Sequence, residues 1–201
     1  MVATLHSNEL TMQANILIQN LTQQTQQIIA KVQPLRYQEF SFLSWKEDEN
    51  SWSILECIEH LNRYSNFYFP QIAQKIKYAK HGHETEFKSG FLGGYFAETM
   101  LPKEKLNKMK TFKDKNPLHT NVDISVIDTF LAQQNQFLEL LQQAKNVSLN
   151  KTKVETSLTA LLKLNLGDTF QFLINHIIRH LHQIDRIQTA MKNAGRIKSN
   201  T

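Results

Sequence analysis

Residues 168–191 read DTFQFLINHIIRHLHQIDRIQTAM, and this stretch decides the fold class. Its apolar residues recur at steps of three and four positions, the spacing of one face of an α-helix. They are Phe170, Leu173, Ile174, Ile177, Leu181, Ile184 and Ile187. Asp168 and Gln171 follow Gly167 in the pattern of a capping box. The sequence therefore predicts a long amphipathic helix that starts at this box and ends near Met191.

Three more stretches show helical periodicity. The first has apolar residues at Leu10, Ala14, Leu17, Leu21, Ile28 and Val32, and Pro34 should end it because proline offers no amide hydrogen. The second begins at Ser53, which forms the pattern of a reciprocal capping box with Glu56, and should run towards Lys80. Pro70 is expected to kink or divide it.

The third starts near Asp123 or Ser125 and should bury Ile127, Phe130, Leu131, Phe137, Leu138 and Leu141. Four amphipathic helices predict an all-α protein with a four-helix bundle. A length of 201 residues is typical of one domain, so we expect a single domain over 1–201.

Two connecting segments interrupt the helical pattern. Residues 82–121 have no sustained period, so we expect an irregular, lysine-rich insertion between the second and third bundle helices. An insertion of this length often covers a site. Residues 146–166 connect the third helix to the last, and a short helical fragment is predicted at 157–164.

The charge of the chain is concentrated in one segment. The chain has 23 Lys and Arg against 18 Asp and Glu, a net charge of +5. Ten lysines and five acidic residues lie between Ile72 and Lys115, so the rest of the chain is neutral. Lysines interleaved with aromatic residues suit phosphates and bases, here Tyr78, Phe87, Phe91, Tyr95, Phe96 and Phe112. No nucleic-acid-binding motif accompanies them, so we expect solvated lysines and aromatic rings that dock the insertion onto the bundle.

Composition excludes several classes of protein. Six Gly and four Pro are too few for a turn-rich sandwich or barrel. The single cysteine, Cys57, excludes an internal disulfide framework and a cysteine-rich zinc module, and we expect it in the core. No apolar run approaches the length of a membrane span, and residues 1–10 lack the features of a signal peptide. We therefore expect a cytoplasmic protein that does not cross a membrane.

The last helix carries the residues best suited to chemistry. His176 and His180 lie one helical turn apart and about 40° apart around the axis, so both imidazoles can reach one metal ion. His182 points to another side and should lie at the surface. A pair with this spacing arises by chance about 0.3 times in such a chain, so the pair alone favours two unrelated histidines.

His60 strengthens the case for a metal. It lies two turns into the second helix and could face His176 and His180 across the bundle. Three buried imidazoles without a metal would be costly, whereas three around one divalent ion leave a position for water. Gln183 would then contact a ligand or the substrate. Glu56 and Tyr64 flank His60 at one turn on either side and are further candidates, although capping and packing also explain them.

These residues resemble those of the DinB-like superfamily. The resemblance rests on Trp52-Ser53, Glu56 and His60-Leu61, followed by His176-x-x-x-His180-x-x-Gln183. It implies a four-helix bundle that binds zinc or nickel through His60, His176 and His180, often as a homodimer. Some members of the family are transferases or isomerases that use a thiol such as bacillithiol or mycothiol, and many have no known reaction.

Three hypotheses about function follow. The first is a divalent-metal-dependent enzyme acting on a small-molecule substrate, either a thiol-dependent S-transferase or a hydrolase. No catalytic residue is assigned. The second is a protein that binds nucleic acid or acidic surfaces through residues 72–115, and the absence of a recognised binding motif beside these charges argues against it. The third is a non-catalytic bundle whose metal only joins two helices, with its fourth coordination position closed by protein.

Overall fold

The computed structural model describes residues 11–102 and 111–195, which contain six α-helices and four short strands. The helices are α1 (Ala14–Val32), α2 (Phe40–Leu43), α3 (Ile54–Lys77), α4 (Phe91–Thr99), α5 (Ser125–Ala144) and α6 (Leu166–Asn193). The strands are β1 (Thr11–Gln13), β2 (Glu86–Lys88), β3 (Lys153–Glu155) and β4 (Lys163–Asn165). Within these described residues, no helix has the length and apolar character required to cross a membrane.

Helices α1, α3, α5 and α6 form the predicted four-helix bundle. Helix α1 packs against α5 and α6, and α3 packs against the same two helices, so α1 and α3 occupy opposite corners. The core joins the helices through aromatic rings. The ring centroid of Phe137 lies 5.4 Å from that of Phe69 and 5.4 Å from that of Phe170, which connects α5 to α3 and α6.

The end of the first bundle helix and the start of the second lie close to the predicted positions, whereas Leu10, the first residue of the predicted apolar stripe, lies outside the described residues. Helix α1 ends at Val32, and a 3₁₀ turn over Gln33–Tyr37 that includes Pro34 follows it. The capping box at the start of α3 is confirmed: the Glu56 amide donates to Ser53 Oγ at 3.2 Å, and the Ser53 amide donates to Glu56 Oε2 at 2.8 Å. Helix α3 continues through Pro70 and ends at Lys77, short of Lys80.

The insertion between α3 and α5 is more regular than predicted. Strand β2 pairs antiparallel with β1, which ties the insertion to the start of α1. Helix α4 packs against α6. Residues 103–110, which carry four of the lysines, lie outside the described residues. The expectation of irregular structure is therefore wrong for the stretches 86–88 and 91–99, because strand pairing and packing on α6 stabilise elements too short to show a period.

Only part of the aromatic content docks the insertion onto the bundle. Phe87 is 1% exposed, and Phe96 packs against the core, as expected. The expectation is wrong for four rings that are exposed, namely Tyr78, Phe91, Tyr95 and Phe112.

The connection before α6 is a β-hairpin, so the predicted helical fragment at 157–164 is wrong. Strands β3 and β4 pair antiparallel, with Val154 opposite Leu164. Both of these side chains are buried while their neighbours are more exposed. This alternation spans only three residues in each strand, and so short a pattern does not separate strand from helix in a sequence.

The predicted capping box at Asp168 and Gln171 is also wrong. Helix α6 begins at Leu166, and Asn165 occupies the position before it. Asp168 is buried instead, where its carboxylate accepts hydrogen bonds from Ser89 Oγ at 2.5 Å and the Gly90 amide at 2.9 Å. These bonds hold the start of α4 on α6, so Asp168 serves the neighbouring helix.

Candidate metal centre

The Nε2 atoms of three buried histidines converge between α3 and α6. His60 Nε2 lies 3.1 Å from His176 Nε2, and His180 Nε2 lies 3.0 Å from the same atom. One ligand atom from each ring lies within 4.8 Å of the others. The structure therefore brings together the three residues that the sequence proposes as a metal site, although His60 and His176 are 116 positions apart.

Hydrogen bonds at the far side of two rings determine which nitrogen carries the proton. His60 Nδ1 lies 2.7 Å from the Lys115 carbonyl oxygen, and His180 Nδ1 lies 3.0 Å from Gln183 Oε1. A carbonyl oxygen only accepts hydrogen bonds, so each Nδ1 donates and each Nε2 holds a lone pair. The lone pairs on His60 Nε2 and His180 Nε2 both face His176 Nε2. One hydrogen on His176 Nε2 could not form a good hydrogen bond to both of them. A divalent cation would satisfy all three nitrogens, so the donor set fits a metal.

The surroundings keep the three imidazoles uncharged. Burial lowers the pKa of His60 to about 4, with smaller contributions in the same direction from Arg63 and Lys115 and an opposing one from the Lys115 carbonyl. Burial and the neighbouring histidines lower the pKa of His176 and of His180 well below the usual value. Neutral imidazole is the form that ligates a metal, so the site is prepared for a cation at neutral pH.

Aromatic rings enclose the histidines from two sides. The ring centroid of Trp52 lies 4.7 Å from that of His60 and 5.7 Å from that of His180. On the other side, the Tyr64 centroid lies 5.0 Å from His60 and 4.5 Å from His176. These rings limit the rotation of the imidazoles and make the surroundings of the Nε2 atoms largely apolar.

Local hydrogen bonds position α3 and α6, the two helices that carry the histidines. The capping box of Ser53 and Glu56 fixes the start of α3, and Lys46 Nζ supports it with an ion pair to Glu56 Oε1 at 2.7 Å. This sets the positions of Trp52, just before the helix, and of His60, two turns into it. On α6, Asn175 Nδ2 donates to the Ala97 carbonyl oxygen at 2.9 Å, so α4 is bonded to the residue next to His176.

Of the other candidate residues, Gln183 and Tyr64 contact the histidines and Glu56 does not. Gln183 contacts His180, and Tyr64 packs against the rings of His60 and His176. Both Glu56 oxygens are engaged by Ser53 and Lys46, so Glu56 acts as a cap and its bonds are not with the histidines.

Two further residues behave as expected. His182 is exposed. Cys57 is fully buried, and burial raises the pKa of its thiol, which makes it an inert core residue.

Sequence reasoning missed Lys115 as a part of the site. Its contribution is a backbone carbonyl, which no side-chain pattern reveals. The segment also brings its side chain inwards: Lys115 is only 9% exposed, its Nζ lies 5.2 Å from the Phe67 ring centroid, and it pairs with Asp114 at 2.8 Å. One end of the lysine-rich insertion is therefore packed against the histidine cluster.

A four-helix bundle with a buried cluster of three histidines defines a class of metal-binding helical proteins. The comparison of sequences agrees with this class. Residues 20–184 match the family model of the DinB superfamily, and the chain belongs to that superfamily. No curated protein matches the chain significantly.

The fold is similar to that of a solved bacterial protein. That structure is described as "YfiT from Bacillus subtilis is a probable metal-dependent hydrolase with an unusual four-helix bundle topology". The match has a TM-score of 0.54 at 14% sequence identity and covers 87% of each chain. At this identity the likeness establishes the shared bundle fold.

Proposed function

We propose that this chain is a metal-dependent enzyme whose divalent cation, zinc or nickel, is held by His60, His176 and His180. The convergence of the three Nε2 atoms is the observation that carries the proposal. The family of the chain and the description of YfiT as a metal-dependent hydrolase support it. A divalent cation in such a site lowers the pKa of a bound water or thiol and polarises an electrophile.

The composition of the cluster favours catalysis over a structural role for the metal. Within residues 11–102 and 111–195, the cluster contains three potential ligands, and no fourth His, Cys, Asp or Glu side chain joins it. Structural zinc sites are closed by four protein ligands, whereas catalytic sites keep one position for water or substrate. A site of three histidines therefore supports an enzyme rather than a metal that only joins α3 to α6.

The residues around the cluster orient the imidazoles and surround them with apolar rings that exclude bulk water. The Lys115 carbonyl and Gln183 hold two imidazoles with their Nε2 lone pairs towards the cluster. Trp52 and Tyr64 form apolar walls at either side, which strengthen electrostatic interactions between a ligand and the site.

Hydrolysis is the first activity to test, and thiol transfer is the second. Thiol transfer is the second candidate because the sulfur of a low-molecular-weight thiol such as bacillithiol is a soft ligand that a zinc site accepts. In this reaction the sulfur of the thiol forms a bond to the electrophilic carbon of the substrate, and the leaving group departs with the electron pair of its broken bond. The thiol proton passes to solvent.

The test is a reconstituted turnover assay. Metal-free protein would be loaded with zinc or nickel and assayed against ester and amide substrates, then against electrophiles with and without a thiol. Turnover that requires the metal and no thiol supports a hydrolase, whereas turnover that requires both supports a transferase. The variant His176→Ala should lose the activity, while the exposed His182→Ala on the same helix should retain it. Equal activity in the two variants would contradict the proposal.

A further inference from the structure

The last part of the insertion lies along one face of α3. His60, Arg63 and Phe67 are spaced by three and four positions, so their side chains share one stripe of the helix. We call residues 112–120, which contact this stripe, the strap. The carbonyl oxygen of Lys115 accepts from His60 Nδ1 at 2.7 Å, and Lys115 Nζ lies 5.2 Å from the Phe67 ring centroid. The strap therefore follows α3 from a candidate metal ligand towards the middle of the helix.

Arg63 binds the strap between these two contacts. Its Nη1 donates to the Asn116 carbonyl oxygen at 2.9 Å, and its Nη2 donates to Thr120 Oγ1 at 3.5 Å. Its Nε donates to Glu59 Oε1 at 2.7 Å, which orients the planar guanidinium. A hydrogen bond from a charged donor is stronger than one between neutral groups. The carbonyls of two consecutive residues, Lys115 and Asn116, are therefore bonded to side chains one turn apart on α3.

The end of the strap is a turn that needs contacts outside itself. The amide and the hydroxyl of Thr120 both donate to the Pro117 carbonyl oxygen, at 3.0 Å and 2.5 Å, so the turn moves as one unit. His119 within it has a φ of 63°, a left-handed conformation that residues other than glycine adopt at a cost in free energy. Contacts with the rest of the protein have to offset this cost, and the two bonds from Arg63 contribute to them.

We propose that Arg63 is a positioning residue of the metal centre. By holding the strap through the Asn116 carbonyl, it keeps the neighbouring Lys115 carbonyl on His60 Nδ1. That bond directs the Nε2 lone pair of His60 at the other two histidines, so Arg63 acts on the ligand through the strap. The inference rests on the proposed metal-dependent function and deepens it, because it identifies what controls the geometry of one ligand.

The charge of Arg63 and its hydrogen bonds act in opposite directions on metal binding. Burial is the main cause that lowers the pKa of His60, and the positive charge of Arg63 adds to it, because like charges repel. The same repulsion disfavours a metal cation at the cluster. If charge were the only influence of Arg63, its removal would tighten metal binding. The positioning role predicts weaker binding, so the sign of the change distinguishes the two.

The first test measures the affinity for zinc in a competition titration against a chelator. Arg63→Met removes the guanidinium and keeps a long side chain. It should lower the affinity about 10-fold, the lower end of the range for the loss of a group that supports a ligand. Arg36→Met is the matched control, because Arg36 pairs with Asp128 at 2.5 Å, and it should match the wild type. Unchanged or tighter zinc binding by Arg63→Met would overturn the proposal.

The second test observes the hydrogen bond of His60 and needs no metal. NMR of ¹⁵N-labelled protein follows the exchange of imidazole hydrogens with solvent, and the His60 Nδ1 hydrogen should exchange at least about 10-fold faster in Arg63→Met, because its bond opens more often. The Nδ1 hydrogen of His180 is the internal control, since its partner Gln183 lies on α6 itself, and its exchange should not change. Unchanged exchange at His60, or equal acceleration at both histidines, would contradict the role of Arg63.

The two tests separate this proposal from the proposed function. A wild-type protein that binds zinc, with an Arg63→Met variant that binds it equally well, would overturn the role of Arg63 alone. A wild-type protein that binds no zinc would overturn the metal site and the effect of Arg63 on it. The exchange of the His60 Nδ1 hydrogen would still show whether Arg63 holds the strap on His60.

Discussion

The Nδ1 atom of His60 lies 2.7 Å from the carbonyl oxygen of Lys115. This bond joins the candidate metal centre to the end of the lysine-rich insertion, a segment whose charge suggests no chemistry by itself. Because a carbonyl that accepts from a ligand histidine orients the ring and raises its basicity, the insertion helps to build the site. The contribution of this segment to the site comes from a backbone carbonyl and not from the charge of its lysines.

Replacement of the α6 histidines should abolish metal binding. His176→Ala and His180→Ala each remove one of three nitrogens, and two imidazoles do not hold a zinc or nickel ion as three do. Elemental analysis of reconstituted protein should give about one metal per chain for the wild type and for His182→Ala, but close to none for the other two. Unchanged metal content in His176→Ala would contradict the assignment.

Replacement of Gln183 should weaken metal binding without abolishing it. Its side-chain oxygen accepts from His180 Nδ1 at 3.0 Å, and the loss of such a partner costs about 10–100-fold in metal affinity. Gln183→Ala should show this loss in a competition titration against a chelator. Gln188→Ala, at another half-buried glutamine of α6, should match the wild type. Equal affinities in the two variants would show that His180 needs no such partner.

The acid stability of the protein should depend on Glu84. Its carboxylate accepts hydrogen bonds from Lys151 at 2.8 Å, from Asn150 at 3.0 Å and from the Ser148 hydroxyl. The bonds from Lys151, Ser148 and Asn150, in this order of size, lower the pKa of Glu84 from 4.5 to about 2. The unfolded chain therefore takes up this proton first, and the stability contributed by Glu84 is present above about pH 4.5 and is lost as the pH falls to about 2.

The variant Glu84→Gln tests this dependence. It should be less stable than the wild type at neutral pH, and the difference should shrink as the pH falls through that window. Urea unfolding at several pH values measures it, with the exposed Glu47→Gln as the control. A difference that does not change with pH would exclude the linkage.

The close approach of α4 to α6 should depend on a glycine. A Cβ atom at Gly93 would collide with the buried carboxylate of Asp168, which holds the start of α4 through Ser89 and Gly90. Gly93→Ala should therefore destabilise the protein by about 1–3 kcal/mol, the range for overpacked sites. The matched control is Gly82→Ala, where an added Cβ meets nothing within 4 Å. Equal urea midpoints for the two variants would contradict this packing.

The bundle and half of the site were predictable because they depend on local geometry. A helix fixes the separation of residues four positions apart. Once α6 is predicted, His176 and His180 are therefore predicted to be neighbours on one face. The capping box of Ser53 and Glu56 is local for the same reason. The local pattern at Asp168 gave a wrong prediction. Its carboxylate does not cap α6 but accepts a hydrogen bond from Ser89, which lies 79 positions earlier in the chain.

What the sequence by itself determined is therefore the four helices, the family and the three histidines as candidates for one site. Only the tertiary structure decided that His60 meets the pair on α6, that Lys115 supports it through its backbone, and that Ser157 bonds to Tyr68. The physical reason is that contacts between distant residues depend on how whole helices pack. Backbone carbonyls are also alike in every residue, so a sequence does not show which one will lie beside a histidine.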